Sequence, residues 1–191
     1  MAGVRDETLY QNAKKLLGSK RYEEAFDAYR NLANAGDPQC QVFLGWMYHE
    51  GLGTSRDVDV ARAWFEKAAL LGSKEGAFYC GRSVAVLGQH EEAVRWYRKA
   101  VSQEYGPALL WLGLAYVRGH GVEKDFARGV SLLERSAKTG NYFAKRELAL
   151  LMIFGRFGIS SVPIGMILLP YAVAAGIVSA IWRGDSDKLL G

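Results

Sequence analysis

The chain has 191 residues, of which 50% are hydrophobic and 23% charged, a globular balance that excludes a largely disordered chain. Its net charge of +4 is too small for the strongly basic surface of a nucleic-acid-binding protein. Cys40 and Cys80 lack metal-ligand spacing and exclude a disulfide scaffold, so we expect buried, inert thiols in a reducing compartment.

The chain begins with a polar stretch, residues 1–7, that has no apolar core of the kind found in secretory signal peptides. Gly3 stands one position too late for N-myristoylation, which requires glycine at position 2. We therefore expect a cytoplasmic protein, or one peripheral to the inner face of a membrane.

Small residues recur along the chain with one shared set of intervals. At the start of the second half of each unit the intervals are 36, 32, 36 and 36, for Ala25, Ala61, Ala93, Gly129 and Gly165. Within the first halves the intervals are 36, 32 and 36, for Gly45, Gly81, Gly113 and Ala149. A third series gives 36, 32, 36 and 36 again, for Cys40, Gly76, Ala108, Ala144 and Ala180. Small residues at fixed places let paired helices approach closely, so the repetition predicts stacked helical hairpins.

The intervals divide the chain into five units inside one predicted domain spanning residues 1–191. The units cover residues 5–36, 37–72, 73–104, 105–140 and 141–176, with a C-terminal cap at 177–191. Large residues four positions after the small residue of the second helix are expected to fill the core between helices, namely Phe65, Tyr97, Leu133 and Leu169.

Two kinds of link are predicted between the helices of a hairpin. Where the interval is 36, a glycine loop joins them, at residues 51–57 and 119–125. Where it is 32, a shorter turn at residues 87–92 replaces the loop. Glycine tolerates the positive φ angles that such tight links require, and we expect His90 and His120 to lie in these links.

The motifs of two units resemble the Sel1-like repeat. They are LGWMY at 44–48 with GLG at 51–53, and LGLAY at 112–116 with GHGV at 119–122. The shorter third unit and the opening unit are closer to the related tetratricopeptide repeat. The resemblance implies an all-α fold, a right-handed α-solenoid of about five helix-turn-helix repeats, used as an adaptor or scaffold with no particular partner implied.

In tetratricopeptide arrays the first helix of each hairpin lines a concave groove. If these units are similar, the groove-facing positions are Tyr10, Lys14, Val42, Trp46, His49, Phe78, Arg82, Leu110, Leu114, Arg118, Arg146 and Leu150. This apolar strip with interspersed arginines suits a protein or peptide that has apolar anchors and acidic groups, because arginine pairs bidentately with carboxylates. The alternative for several of these residues is packing against neighbouring repeats.

The fifth unit departs from the others. Residues 157–182 form a run of 26 residues without a charge, which is long enough for a membrane span. The repeat nevertheless continues through the run, and Pro163 and Pro170 would interrupt a spanning helix. A degenerate fifth repeat, a membrane span and a peripheral membrane contact are the alternatives. The apolar surface predicts contact with a partner, a second copy or a membrane.

The parts of an enzyme are missing from the sequence. None of His49, His90 and His120 belongs to a metal-binding or nucleophile motif, and the glycine pairs of the loops lack a preceding strand and a third glycine. We predict no catalytic residue, no metal site and no cofactor. The predicted function is a non-catalytic adaptor; the alternatives are a membrane-associated assembly factor anchored through residues 157–182 and an inhibitor or immunity protein.

Overall fold

A computed structural model describes residues 6–153 and residue 170, and the described residues form helices and no strand. In chain order the helices are α1 (Glu7–Gly18), α2 (Tyr22–Asn34), α3 (Pro38–Glu50), α4 (Val58–Leu70), α5 (Lys74–Val86), α6 (His90–Val101), α7 (Gly106–Arg118), α8 (Phe126–Lys138) and α9 (Tyr142–Ile153). Consecutive helices pair as α1 with α2, α3 with α4, α5 with α6 and α7 with α8.

The helices form two compact units, each larger than one repeat. From here on, the first unit means α1–α6, which ends at Gln103, and the second unit means α7–α9, which begins at Glu104. The first four hairpins fall inside the predicted intervals of residues 5–36, 37–72, 73–104 and 105–140, and α9 falls inside 141–176. The single domain over residues 1–191 and the cap at 177–191 stay predictions, and the second helix of the fifth unit lies outside the described residues.

Several helices begin where a polar side chain can bind the exposed amide groups of the first turn. The Asp37 carboxylate accepts a hydrogen bond from the amide of Cys40 at 2.8 Å, and Asp57 accepts from Asp59 and Val60. Ser73 and Asp125 cap α5 and α8 in the same way. Each such cap typically contributes about 1 kcal/mol to stability, so the short polar residues in the links between helices help fix where the helices start.

The links inside the hairpins are of the two predicted kinds. After α3 and α7 the chain enters the left-handed region, with φ of +73° at Gly51 and +77° at Gly119. The end of each loop is hydrogen-bonded to the helix before it: the Asp57 amide donates to the Tyr48 carbonyl of α3 at 2.9 Å, and the Asp125 amide donates to the Tyr116 carbonyl of α7 at 3.0 Å. The α1–α2 and α5–α6 links are short turns. His90, predicted to lie in a link, is instead the first residue of α6.

Inside three hairpins the small residue of the first helix lies directly against the large residue of the second. A Cβ atom added to Gly45 would lie 2.7 Å from the Phe65 ring, and one added to Gly113 would lie 3.0 Å from Leu133. The same relation joins Gly81 and Tyr97. The predicted placement of Phe65, Tyr97 and Leu133 between helices is therefore confirmed, and Leu169 lies outside the described residues.

In the first unit, aromatic rings also connect one hairpin to the next. Tyr29 of α2 stacks on Phe43 of α3 with ring centres 5.0 Å apart, and Phe65 of α4 stacks on Tyr79 of α5 at the same distance. The residues of each pair come from equivalent positions of successive repeats. Stacking of this kind adds about 0.5–1.5 kcal/mol beyond the area that is buried. The first unit is thus held together by the same contact used twice.

The second unit has its own core where α7, α8 and α9 meet. It is built on Leu110, Val117, Leu133 and Ala144, which are all buried. The fully buried Ser136 hydroxyl of α8 donates a 2.7 Å hydrogen bond to the carbonyl of Gly106 at the start of α7. This bond satisfies a hydroxyl that would otherwise be costly to bury, and it ties α8 to the first turn of its partner helix.

Candidate partner-binding surfaces

The structure separates the predicted groove residues by their place in the repeat. In the first four repeats, the residues three positions before the small residue of the first helix are only 4–7% exposed, and they are Tyr10, Val42, Phe78 and Leu110. Each belongs to the core, where it packs against other hairpin residues. These four side chains therefore lie in the hairpin packing that was the alternative to groove exposure, and their contact with a partner stays a prediction.

The residues one position after the small residue remain accessible. Lys14 is exposed, and the equivalent residues of the later repeats are partly buried, namely Trp46, Arg82, Leu114 and Leu150. Nearer the helix ends, Arg118 is exposed and His49 partly buried, and Arg146 of α9 is partly buried as well. These predicted residues can contact another molecule without any change in the core.

A further accessible series was missed in the sequence. Two positions before the small residue stand Phe43, Tyr79 and Trp111, all partly buried. Their spacing of 36 and 32 residues is the spacing of the repeat itself, so the signal was present in the sequence. The fourth equivalent, 36 residues further on, is Glu147, which replaces the aromatic ring by a carboxylate.

On the first unit, the accessible side of α5 combines aromatic rings with a cation. Burial raises the pKa of Tyr79 to about 12, while the nearby positive charge of Arg82 acts in the opposite direction. Burial likewise raises the pKa of Tyr97 to about 12, again against the effect of Arg82. The Arg82 guanidinium therefore lies close to the partly buried Tyr79 and the buried Tyr97. A cation in such low-dielectric surroundings can bind an acidic group.

His49, near the end of α3, is the remaining predicted residue of the first unit. Its Nδ1 atom lies 2.8 Å from the Glu50 carboxylate, and both side chains are close to half exposed. The contact between neighbouring surface residues is screened by water and contributes little to stability. His49 accordingly offers a polar, hydrogen-bonding group at the edge of this surface.

On the second unit, a cleft of about 380 Å³ lies between α7 and α9, beside the loop that follows α7. Its walls are formed by Leu114, Val117, Arg118, Lys124, Glu147, Leu150 and Leu151. Three predicted groove residues, Leu114, Arg118 and Leu150, are thus brought together. Lys124, Glu147 and the two further apolar residues were not predicted to belong to the surface.

Glu147 is the central charge of this cleft. Its carboxylate accepts a 2.9 Å hydrogen bond from Arg146 and lies 3.9 Å from the Arg118 guanidinium. The Glu147 side chain is 17% exposed, whereas Arg118 is 50% exposed. The arginines were predicted as binding groups for a partner's acids, and the structure adds that both lie beside a carboxylate of the chain itself.

The two cysteines lie inside the hairpin packing. Neither Cys40 nor Cys80 forms a disulfide, and both are buried. Burial raises the pKa of the Cys80 thiol to about 12, so almost none of it is thiolate near neutral pH. The predicted burial of both thiols is confirmed.

Within residues 6–153, no helix has the combination of length and apolar character that crossing a bilayer requires. The uncharged segment at 157–182 lies outside the described residues except for Pro170. The three alternatives for that segment therefore stay predictions.

The family follows from comparison with known repeats. A sequence model of the Sel1 repeat matches residues 38–73, 77–105 and 106–141, which is more than half of the chain. The chain belongs to the Sel1 repeat family. The third repeat, whose short turn had suggested a tetratricopeptide repeat, is thus matched as a Sel1 repeat.

Two further proteins are similar to this chain. A protein of Neisseria meningitidis serogroup B named NMB1327 is 35% identical over 135 residues, which are 69% of this chain and 28% of that protein. The crystal structure of a Sel1 repeat protein from Oxalobacter formigenes superimposes with a TM-score of 0.70 at 27% identity, over 78% of this chain and 61% of that one. The chain spans less than two thirds of the length of these relatives.

A third similarity concerns the fold alone. The immunity protein Pa5087 of Pseudomonas aeruginosa has a TM-score of 0.51 at 17% identity, over 92% of this chain and 82% of that one. Together with the described helices, these neighbours confirm the predicted fold class, the all-α helical-repeat solenoids. Repeat proteins of this kind generally serve as non-catalytic protein-interaction adaptors.

Proposed function

We propose that this chain is a protein-binding adaptor that captures a partner on the accessible side of its first helices. The observation that carries the proposal is the recurrence of accessible aromatic and basic residues at matched positions, as in Trp46, Tyr79 and Arg82. Exposed rings next to cations recur at protein interfaces, where they supply much of the binding free energy.

The chemistry of these positions favours a partner with apolar anchors and acidic groups. On the first unit the accessible residues are Lys14, Phe43, Trp46, Tyr79 and Arg82. On the second unit three cations, Arg118, Lys124 and Arg146, lie near one carboxylate, Glu147. Both sets combine apolar surface with excess positive charge, which attracts acidic segments. The two thiols, which are not joined in a disulfide, fit a reducing compartment such as the cytoplasm.

A selection from a random peptide library, displayed on phage and panned against the full chain, tests the proposal. We expect enrichment of peptides that carry an aspartate or glutamate near an aromatic or branched aliphatic residue. An Arg82→Glu variant of the full chain should bind the selected peptides at least tenfold more weakly, because it replaces an attraction by a repulsion. The matched control is Arg95→Glu, which makes the same charge change at an exposed position of α6.

The assay separates clear outcomes. Selective loss of binding in the Arg82 variant, with circular dichroism unchanged, supports the adaptor surface. Equal binding by the Arg82 and Arg95 variants would show that the peptides bind elsewhere on the chain, which would contradict a binding surface at Arg82. Failure of the selection to enrich any sequence over an unrelated helical protein would count against peptide capture altogether.

A further inference from the structure

The cleft between α7 and α9 has features of a specific binding site that the general adaptor proposal does not require. We propose that it receives a branched aliphatic side chain of the partner while Arg118 binds a carboxylate next to that side chain. The proposal rests on the adaptor function and deepens it, because it states what one part of the surface recognises.

The walls of the cleft suit an apolar side chain. Leu114 and Val117 come from α7, and Leu150 and Leu151 come from α9. Three of these residues remain partly exposed, although leucine side chains are usually buried where packing allows. The volume of about 380 Å³ lies in the range of clefts that hold small ligands. An aliphatic group entering the cleft would remove this apolar surface from water, which is favourable in proportion to the area covered.

The rim supplies the charge complementarity. Arg118 and Lys124 line the cleft, and Glu147 is the only carboxylate among the described residues that form its walls. Glu147 is already bound by Arg146 at 2.9 Å, whereas its 3.9 Å separation from Arg118 is too long for a hydrogen bond. The Arg118 guanidinium therefore keeps donors with which it can bind a second carboxylate in the bidentate manner typical of arginine.

Glu147 also sets the strength of the site. A carboxylate beside Arg118 repels an incoming anion and offsets part of the attraction that the two rim cations exert. Removing this charge while keeping the shape, as in Glu147→Gln, should therefore strengthen the binding of acidic ligands. A site made only of apolar contacts would not respond to that substitution, so the variant separates the charge-based proposal from general stickiness.

The probes are three dipeptides that share a leucine and differ in the carboxylate. Acetyl-Asp-Leu-amide carries an internal acid, acetyl-Ala-Leu carries only the chain terminus, and acetyl-Asn-Leu-amide carries neither. They are titrated into the full-length chain while NMR follows the methyl signals of Leu114 and Leu150 and the side-chain Nε–H of Arg118. We expect at least one acidic probe to shift these signals at a concentration at least tenfold below that of the neutral probe.

Variants of the full chain complete the test. Arg118→Glu should abolish the preference for acidic probes, Glu147→Gln should increase their affinity several-fold, and Lys138→Glu is the control because Lys138 is exposed on α8 away from the cleft. A response to the aspartyl probe alone assigns an internal acidic segment, and a response to the terminal carboxylate alone assigns a chain end.

Several results would overturn the cleft assignment. These are equal titration by the neutral probe, an unchanged preference in the Arg118 variant, or signal shifts confined to residues outside the cleft. If the peptide selection on the full chain still succeeds while the cleft fails, the adaptor function stands and only this site is rejected. If both the peptide selection and the cleft titration fail, the proposed adaptor function is rejected as well.

Discussion

Gly81 lies directly beneath the ring of Tyr97, so that a Cβ atom on Gly81 would stand 2.5 Å from the ring carbon Cε1. The glycine belongs to the first helix of the third repeat and the tyrosine to the second helix. Their contact sets how closely α5 and α6 approach. Sequence spacing alone had paired these positions, which makes the contact a sensitive place to test the fold.

Gly81→Ala should reduce the free energy of unfolding by about 1–3 kcal/mol, since a methyl group added to a filled core forces its neighbours apart. The first repeat has Ala13 at the equivalent place opposite Tyr29, and both are fully buried, so helices can adjust and we expect the lower end of that range. Urea denaturation measures the change. Gly18→Ala is the control, because a Cβ there meets nothing within 4 Å and alanine favours the helix. Equal stability of the two variants would contradict the packing argument.

Tyr97→Phe should leave the protein as stable as before or more stable by about 1 kcal/mol. The Tyr97 hydroxyl is buried and has no hydrogen-bond partner among the described residues, and an unsatisfied buried hydroxyl costs free energy. The second repeat already carries phenylalanine at this place, as Phe65. A loss of more than about 1 kcal/mol in urea denaturation would show that the hydroxyl makes a hydrogen bond, because removing such a bond costs about this much.

The same residue predicts a dependence of stability on alkaline pH. Burial raises the pKa of Tyr97 from its ordinary 10 to about 12, so the folded protein holds this proton more tightly than the unfolded chain. The associated stability is complete below pH 10 and is lost as the pH rises towards 12. Tyr97→Phe should therefore weaken the fall in melting temperature over that range. An unchanged fall in the Tyr97→Phe variant would contradict the assignment of this pH dependence to Tyr97.

Neither cysteine should react with a thiol reagent at pH 8 while the protein is folded. Cys40 is fully buried, and the raised pKa of Cys80 leaves almost none of it as the reactive thiolate. After unfolding in guanidinium the two cysteines of the chain should react fully, and a Cys80→Ala variant should show half that signal. Reaction of the folded protein at the rate of a free thiol would contradict the buried placement.

Ser136→Ala should reduce the free energy of unfolding by about 1–2 kcal/mol, since it removes the buried hydrogen bond to the Gly106 carbonyl. Ser83→Ala is the comparison, because the Ser83 hydroxyl bonds to Tyr79 within its own helix and connects no second helix. We expect the Ser83 variant to change stability by less than about 0.5 kcal/mol, as is usual away from the core. Equal losses in urea denaturation would contradict the role of the inter-helix bond.

The hairpins and their internal contacts could be predicted from the sequence because they depend on regular spacing. Gly45, Gly81 and Gly113 mark the same place in successive repeats, and a large residue always follows in the second helix. Regular spacing fixes which residues recur together. It does not fix the rotation of a helix within its hairpin.

The unknown rotation of each helix explains why the accessible residues differ in part from the predicted groove residues. Phe78 and Tyr79 are adjacent aromatic residues that point about 100° apart on the helix, and the sequence does not say which one faces the core of its hairpin. The structure buries Phe78 and leaves Tyr79 partly accessible. Glu147 was missed for a different reason: its effect depends on Arg118, which is 29 positions earlier and comes close only when α7 and α9 pack.

The stacked rings of the first unit have a consequence for how such a protein can diversify. Phe43 and Tyr79 hold successive hairpins together, so replacing them changes stability as well as surface chemistry. The positions just after the small residues, such as that of the exposed Lys14, lie outside these two ring stacks. Natural selection can therefore exchange residues at those sites, repeat by repeat, and give paralogues new recognition properties without first compensating for a weakened scaffold.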